Sequence, residues 1–162
     1  MLHEFVIRPM TPDDIPEVSR WVAAVPLWQR YQVHAQHLVA QFSAALENGH
    51  ILLAADRGAQ DVGCGFVWCA PQGAFGRSAY LRLLGVKPGL EGMGIGAALL
   101  GEAERRAVSV SREMFLLVSD FNVAAQRFYR RHDYRQVGAI PGYVLPDVAE
   151  LIFWKRLDAA AP

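Results

Sequence analysis

Three glycines at alternating positions, Gly92, Gly94 and Gly96, are the residues whose spacing points most directly to a chemical task. They stand between an apolar segment that ends near Val86 and an amphipathic segment that begins at Ala97. A helix that starts after such a turn leaves its first backbone N–H groups without partners inside the helix. Those donors and the positive end of the helix dipole attract an anion, and glycine lets the backbone approach it closely. The pattern therefore predicts a site for a phosphorylated ligand.

Two common phosphate-binding motifs fit this stretch poorly. A Walker loop needs Lys and then Ser or Thr at the helix start, whereas Gly96 is followed by Ala97 and Ala98. A dinucleotide-binding fold places its first glycine directly after the first strand. Here five residues separate Val86 from Gly92, and the glycines come after roughly half of the chain.

The stretch instead resembles the acyl-CoA pyrophosphate loop of the GCN5-related N-acetyltransferases. The pattern of that family is Arg/Gln-x-x-Gly-x-Gly/Ala after a Val-x-Pro turn, and Val86, Pro88, Gly94 and Gly96 take the matching positions. Glu91 occupies the position where the family usually has Arg or Gln. A carboxylate beside a pyrophosphate is unfavourable unless it points away, so Glu91 predicts weaker CoA binding or an altered loop.

A second motif downstream supports the same resemblance. The family pattern there is a strand, then Asn-x-x-Ala-x-x-Phe/Leu-Tyr, then Gly-Phe/Tyr, and the matching residues are Asn122, Ala125, Phe128, Tyr129 and Tyr134. Asp133 stands where Gly is usual, at a position that normally ends the helix in a left-handed conformation. The resemblance covers roughly residues 2–157 and implies acetyl-CoA as the cofactor.

The resemblance also implies which residues hold and use this cofactor. Its expected contacts are Leu84, Gly85, Val86, Glu91, Gly92, Met93, Gly94, Ile95, Gly96, Ala97, Asn122, Ala125, Phe128 and Tyr129. Tyr129 matches the general acid of the family, which protonates the departing thiolate; a core aromatic beside Phe128 is the alternative. Asn122 either caps the helix that starts there or hydrogen-bonds the cofactor. We expect Asn122 and Tyr129 to be the catalytic residues.

The general base is not evident from the sequence. Many relatives carry a Glu on the fourth strand, but residues 79–84 contain no carboxylate. The other candidates are Asp120, His37, Glu150 and ordered water. An amine of low pKa costs less free energy to deprotonate at neutral pH, so the missing carboxylate favours such an amine or a water-chain base.

Three residues are expected to bind the acceptor. Trp28 and Tyr31 lie in the segment that shapes the acceptor pocket in this family, with plain packing as the alternative, and Arg82 would favour an anionic group on the acceptor. We expect direct acetyl transfer to a primary amine of a small or amino-acid-like molecule. A protein N-terminus or lysine as acceptor, or a CoA-binding regulatory domain without catalysis, are the alternatives.

Composition sets the remaining bounds. The 162 residues are expected to form a single acetyltransferase domain, and sixteen basic residues balance sixteen acidic ones, so there is no basic field for nucleic acid. No apolar run is long enough to span a membrane, and His34 and His37 have no evident third metal ligand. Cys64 and Cys69 are expected to be reduced and to face opposite sides of one strand, which points to the cytoplasm.

The elements that must position these residues form a mixed α/β order of about seven strands and about four helices. The sequence predicts strands over 2–8, 51–56, 62–70, 78–86, 115–119, 134–139 and 148–157, and helices over 12–24, 33–46, 94–110 and 122–132. In the family the fourth and fifth strands splay apart, which here frees the edge over 83–86 for the pantetheine arm. The apolar last strand, residues 151–154, could support a homodimer.

Overall fold

The computed structural model describes residues 4–158, and its elements follow the predicted order. The strands are β1 (Val6–Pro9), β2 (Ile51–Arg57), β3 (Asp61–Ala74), β4 (Ser78–Val86), β5 (Glu113–Ser119), β6 (Arg135–Pro141) and β7 (Ala149–Arg156). The helices are α1 (Ile15–Ala23), α2 (Pro26–Arg30), α3 (Ala35–Glu47), α4 (Ile95–Ala107) and α5 (Val123–Arg131), with a 3-10 turn over Pro12–Asp14. Within the described range, no helix is long and apolar enough to cross a lipid bilayer.

The mixed α/β class is confirmed, and two predictions are corrected, the number of helices and the end of β3. Five α-helices are present in residues 4–158 rather than about four, because Pro26 not only ends the preceding helical segment but also begins the short helix α2. β3 continues to Ala74, through residues that were expected to form a loop. The first two residues of the strand expected over 2–8 lie outside the described residues.

The strands form one seven-stranded sheet in the order β1-β2-β3-β4-β5-β7-β6. β4 and β5 are its parallel neighbours, and their ladder joins only residues 79–81 to residues 114–116. From Leu83 to Val86, β4 still pairs with β3 on one side, but within the described chain its other edge has no strand partner. The predicted splay between the fourth and fifth strands is therefore confirmed.

A β-bulge lies where β4 leaves β5. Trp68 pairs with Leu83 and Cys69 pairs with Leu81, so Arg82 is an extra residue on β4 without a partner on β3. A bulge bends its strand and increases the local twist, and it interrupts the alternation of side chains between the two faces. The bulge thus lies at the residue that follows the last pair of the β4–β5 ladder.

Two apolar cores lie on the two faces of the sheet. Alternate residues of β2 enter different cores, Leu53 with α4 and Leu52 with α1 and α3. Phe66 is fully buried in the second core, where burial contributes roughly 1.5–3 kcal/mol to stability. On the other face Gly65 allows close approach of α4, since a Cβ there would lie 2.9 Å from Ile95 Cγ2.

The expectation that Cys64 and Cys69 face opposite sides is wrong. Both thiols are free, and both side chains lie in the core beneath α4. The register between β2 and β3 shifts opposite the segment that contains Gly63, which has a positive φ of 64°. This irregularity breaks the period of two on which the expectation depended.

The apolar run of β7 is accounted for by the sheet. β7 lies between β5 and β6, and Phe153 at its centre is fully buried. Its edges are therefore paired within this chain, and the homodimer stays a prediction.

Candidate active site

The glycine turn leads directly into α4. Gly92 and Gly94 have φ values of 75° and 87°, which are left-handed conformations that glycine adopts at little cost. Gly94 is the N-cap of α4, and the first helical hydrogen bond runs from the Ala98 N–H to the Gly94 carbonyl at 3.0 Å. The N–H groups of residues 95–97 therefore precede the helical ladder, and no side chain caps them. This end of α4 can donate several hydrogen bonds to one anion.

Three predicted cofactor residues meet beside this turn. A Cβ at Gly96 would lie 3.7 Å from both the Phe128 ring and Val86 Cγ2. The start of α4, the end of β4 and the middle of α5 thus converge at one point. Gly92 and Gly94 have open space where a side chain would stand, so the turn forms an uncovered cradle.

Glu91 is turned back onto the chain that precedes it. Its Oε2 accepts a hydrogen bond from the Gly89 N–H at 2.7 Å. The Leu90 N–H donates to the Lys87 carbonyl at 3.1 Å. Together the two hydrogen bonds close a tight turn before the glycines. Glu91 therefore has a partner of its own in the turn.

A cavity of about 360 Å³ fills the splay between β4 and β5. Leucines and valines of the two strands and of the segment around α2 supply much of its wall. The polar side chains that reach it are Tyr31, Tyr80, Arg82, Ser119, Asn122, Tyr129 and Glu150. Leu84, Asn122, Ala125 and Tyr129 line this cavity, whereas the predicted cofactor residues 91–97 lie outside its lining.

Tyr129 reaches the cavity from α5. Its side chain is buried, and its ring lies 5.1 Å from Phe128 and 5.6 Å from Tyr134, measured between ring centroids. Burial raises the pKa of the Tyr129 phenol above its ordinary value, and no charged or hydrogen-bonding neighbour among the described residues opposes this shift. The phenol therefore stays protonated at neutral pH and is able to donate a proton into the cavity.

Asn122 caps α5 and also lines the cavity. Its Oδ1 accepts a hydrogen bond from the Ala125 N–H at 3.1 Å, which is the capping alternative of the sequence analysis. Buried Gln126 holds the same end of the helix, since its Nε2 donates to the backbone carbonyls of Ser119 and Asp120 at 3.2 and 2.9 Å. At the far end of α5, Asp133 takes the expected left-handed backbone, with φ of 68°.

The three expected acceptor residues all line the cavity, in different surroundings. Trp28 also packs within an aromatic cluster, 6.4 Å from Trp21 and 6.0 Å from Phe66 between ring centroids. It is therefore both a packed residue and a wall of the cavity. Arg82, the bulge residue, is exposed, and its guanidinium lies 4.4 Å from the centre of the Trp68 ring. Arg82 thus borders the cavity at its solvent side.

Glu150, Tyr31 and Ser119 form a hydrogen-bonded group at the cavity. Glu150 at the start of β7 is only 5% exposed, and its Oε1 accepts a hydrogen bond from the Tyr31 hydroxyl at 2.5 Å. The hydroxyl of Ser119, the last residue of β5, also bonds to the Tyr31 oxygen. Burial first, and then the hydrogen bond to Glu150, raise the pKa of Tyr31 to about 12.

Of the three side chains considered as a general base, Glu150 lines the cavity. Asp120 is exposed and its Oδ2 accepts a hydrogen bond from the Ala149 N–H at 3.0 Å, which fixes the start of β7. The His37 ring lies 5.7 Å from the His34 ring, on α3 and away from the cavity lining. Burial raises the pKa of the Cys69 thiol to about 12, so this group stays protonated at neutral pH.

Sequence reasoning did not single out Tyr80 or Ser119. Tyr80 is the polar aromatic of an otherwise largely apolar β4, and burial raises the pKa of its phenol. Ser119 ends β5 directly before the Asp120 turn. Tyr80 lies within the short ladder between β4 and β5, and Ser119 lies at the end of β5. The strand pairing that brings both to one cavity is not visible in the sequence.

Comparison with known proteins identifies a family for the chain and solved structures with the same fold. Residues 16–134 match the model of the acetyltransferase (GNAT) family. No curated protein sequence matches the chain. The solved structure of a ribosomal-protein-alanine N-acetyltransferase from Brucella melitensis is 20% identical and has a TM-score of 0.80, over 94% of this chain and 99% of its own.

Two further solved structures carry ligands. The structure of yncA from Salmonella typhimurium with its cofactor acetyl-CoA is 18% identical, with a TM-score of 0.78, over 98% of this chain and 97% of its own. An aminoglycoside 6'-N-acetyltransferase complexed with coenzyme A is 16% identical, with a TM-score of 0.77, over 97% of this chain and 99% of its own. At these identities the likenesses establish the fold.

Fold and family together define the class of the protein, which is an acetyltransferase. The family model covers most of the chain, and the chain therefore belongs to the GNAT family of acetyltransferases. Acetyl-CoA is the cofactor of this class of enzyme. The uncovered glycine cradle and the free edge of β4 fit that group, because they offer backbone donors and acceptors to a pyrophosphate and to an amide-bearing arm.

Proposed function

We propose that this protein transfers the acetyl group of acetyl-CoA directly to the primary amine of a small or amino-acid-like molecule. The cavity in the splay supports this proposal most directly, since the predicted acid Tyr129 and the expected acceptor residues Trp28, Tyr31 and Arg82 share it. A volume of about 360 Å³ suits a small ligand.

The donor side consists of backbone groups held by glycine geometry. The N–H groups at the start of α4 bind the pyrophosphate, and Glu91 does not occupy them because its carboxylate is bonded to Gly89. The unpaired edge of β4 over 83–86 binds the pantetheine arm, and Val86 and Phe128 pack beside it. When bound, acetyl-CoA supplies an acetyl group activated as a thioester.

Tyr129 supplies the proton that the leaving sulfur needs. Its phenol is protonated at neutral pH and lies on the wall of the cavity in the splay. A thiolate is a weaker base than a phenolate in water, but burial disfavours both anions, so a proton donor beside the departing sulfur lowers the cost of the charge that develops there.

A turnover assay over a panel of acceptors tests the proposal. The panel contains small amines, free amino acids, an aminoglycoside, and peptides with a free N-terminus or a lysine, and the readouts are thiol release and the mass of the product. We expect an acetylated small amine and thiol release above the rate of hydrolysis. Tight CoA binding without release for any acceptor would instead identify a silent CoA-binding domain, and release with peptides alone would identify a protein acetyltransferase.

A further inference from the structure

Glu150 is a buried carboxylate without a cationic partner in the described part of the chain. It is 5% exposed, and the ion pairs formed among residues 4–158 do not include it. Burial of an ionised carboxylate is costly unless a positive charge or sufficient hydrogen bonds compensate it. No three His, Cys, Asp or Glu side chains of the described residues are arranged to hold a metal ion there. This carboxylate thus lines a cavity sized for a small ligand.

The hydrogen bonds around Glu150 have a definite direction. Tyr31 has one hydroxyl proton, which it donates to Oε1 of Glu150 at 2.5 Å. Ser119 must therefore donate its own proton to the Tyr31 oxygen. Both hydroxyl groups thus donate toward the carboxylate, and Oε2 receives no side-chain donor from the described residues.

We propose that Glu150 binds the acceptor as an ammonium ion and then takes a proton from it, so that the substrates are primary amines that enter as cations with an apolar body. This inference rests on the proposed acetyl transfer and names its acceptor class and its base. The apolar wall formed by Trp28 and the leucines of β4 and β5 accommodates the rest of such a molecule.

The proton balance follows from the net reaction. An ammonium ion and a thioester become an amide, a thiol and one free proton. One N–H bond of the ammonium breaks, its proton moves to Oε2 of Glu150, and the freed lone pair forms the new N–C bond as the C–S bond breaks. The nitrogen then loses a second proton, which balances the proton that Tyr129 gives to the departing sulfur. Glu150 passes the proton it has taken to solvent before the next turnover. An apolar cavity favours this transfer, because it converts two buried charges into two neutral groups.

Other titratable groups face the same cavity, and none of them replaces Glu150 as the base. Arg82 and Tyr80 approach from β4, and Tyr129 approaches from α5. Tyr143 of the β6–β7 connection also lies close enough to act on the Tyr80 phenol. Burial raises the pKa of the Tyr80 and Tyr129 phenols, so both stay protonated near neutral pH.

The first test compares Glu150→Gln with the wild type in kcat/KM for the best amine of the panel, across pH 6 to 10. The matched control is Glu113→Gln, which makes the same change at the first residue of β5, at the opposite end of that strand from Ser119. We expect Glu150→Gln to lower kcat/KM at pH 7 by about 100-fold or more. Its rate should then rise about tenfold per pH unit as solution supplies free amine, whereas the wild type should be nearly flat. Equal pH profiles for Glu150→Gln and the wild type would overturn the proposal.

The second test measures binding without chemistry. Calorimetry compares 2-phenylethylamine with 2-phenylethanol, which has the same body and no charge. The wild type should bind the amine at least about tenfold more tightly, and Glu150→Gln should lose that preference. Equal affinities in the wild type would overturn the proposal even if the Gln variant fails to fold. A wild type that prefers the amine but turns over no acceptor would overturn acetyl transfer and leave the ammonium site standing.

Discussion

The Trp28 indole lies directly against the backbone of Gly85. A Cβ at Gly85 would come within 2.4 Å of Trp28 Cη2 and 2.9 Å of Phe66 Cε1, so a side chain at this position would displace the indole. Because Trp28 lines the cavity and Gly85 lies on the free part of β4, this contact joins the acceptor wall to the strand expected to hold the donor.

Gly85→Ala should therefore disturb acceptor binding more than chemistry. We expect a loss of about 1–3 kcal/mol in the free energy of unfolding and a raised KM for the amine, with a smaller change in kcat. Urea unfolding and steady-state kinetics measure both effects. Gly101→Ala in α4 is the control, since a Cβ there meets nothing within 4 Å and should stabilise the helix by about 0.5–1 kcal/mol. Similar effects of the two substitutions would refute the steric account.

Tyr129→Phe removes the proposed acid and leaves its ring in place. Since Phe128 and Tyr134 pack against the ring, the fold and the affinity for CoA should persist. We expect kcat to fall by about 100-fold or more at neutral pH, because proton donation to the sulfur is lost. The steady-state rate of thiol release measures kcat. Calorimetric titration with CoA measures the affinity for CoA and serves as the control. Unchanged turnover would return Tyr129 to the role of a core aromatic.

Glu91→Gln should change CoA affinity by less than about fivefold. The wild-type carboxylate is exposed and bonded to the Gly89 N–H, and a glutamine oxygen can accept the same hydrogen bond. Calorimetric titration with CoA measures the effect. Gly94→Ala is the contrasting variant, because φ of 87° places an alanine in a strained left-handed conformation that costs roughly 1–2 kcal/mol. A large gain in affinity for Glu91→Gln would mean that the carboxylate faces the phosphates.

Asp14 should make stability depend on acid pH. Hydrogen bonds from Arg8, at 2.7 and 2.8 Å, lower the pKa of Asp14 from 3.8 to about 2. Because the folded pKa is the lower one, this stabilisation is present above about pH 4 and is lost as pH falls through about 2. Asp14→Asn should cost about 2 kcal/mol of unfolding free energy at pH 7 and almost nothing at pH 2, as measured by urea unfolding. Asp13→Asn is the exposed control, and a difference between wild type and Asp14→Asn that persists at pH 2 would contradict the assignment.

Local patterns were sufficient for much of the fold, including the glycine turn at the start of α4. The bounds of β4 agree with the expected strand over 78–86, and the glycines lead into a helix as expected. These features depend on neighbouring residues only. The bulge at Arg82 and the turn of Cys64 into the same core as Cys69 depend on how strands pair, which no local period encodes.

The acceptor side was harder to predict for the same reason. Tyr31 and Glu150 are 119 residues apart in the chain, and Tyr31 and Ser119 are 88 apart. Their meeting requires α2, β5 and β7 to be placed by the complete sheet. From the sequence, Glu150 is one candidate base among several, and it is the cavity lining that distinguishes Glu150 from Asp120 and His37.

The match to the family model ends at residue 134, and Glu150 lies beyond it, on the strand that completes the sheet. The glycine turn and Tyr129, by contrast, lie within the matched span. In the proposed function the donor side therefore lies within the matched span, whereas the acceptor site joins Trp28, Tyr31 and Arg82 of that span to Glu150 beyond it. Substitutions at Glu150 should then alter which amines are accepted without touching the residues proposed to hold CoA, so acceptor preference can diverge between proteins that share the same donor machinery.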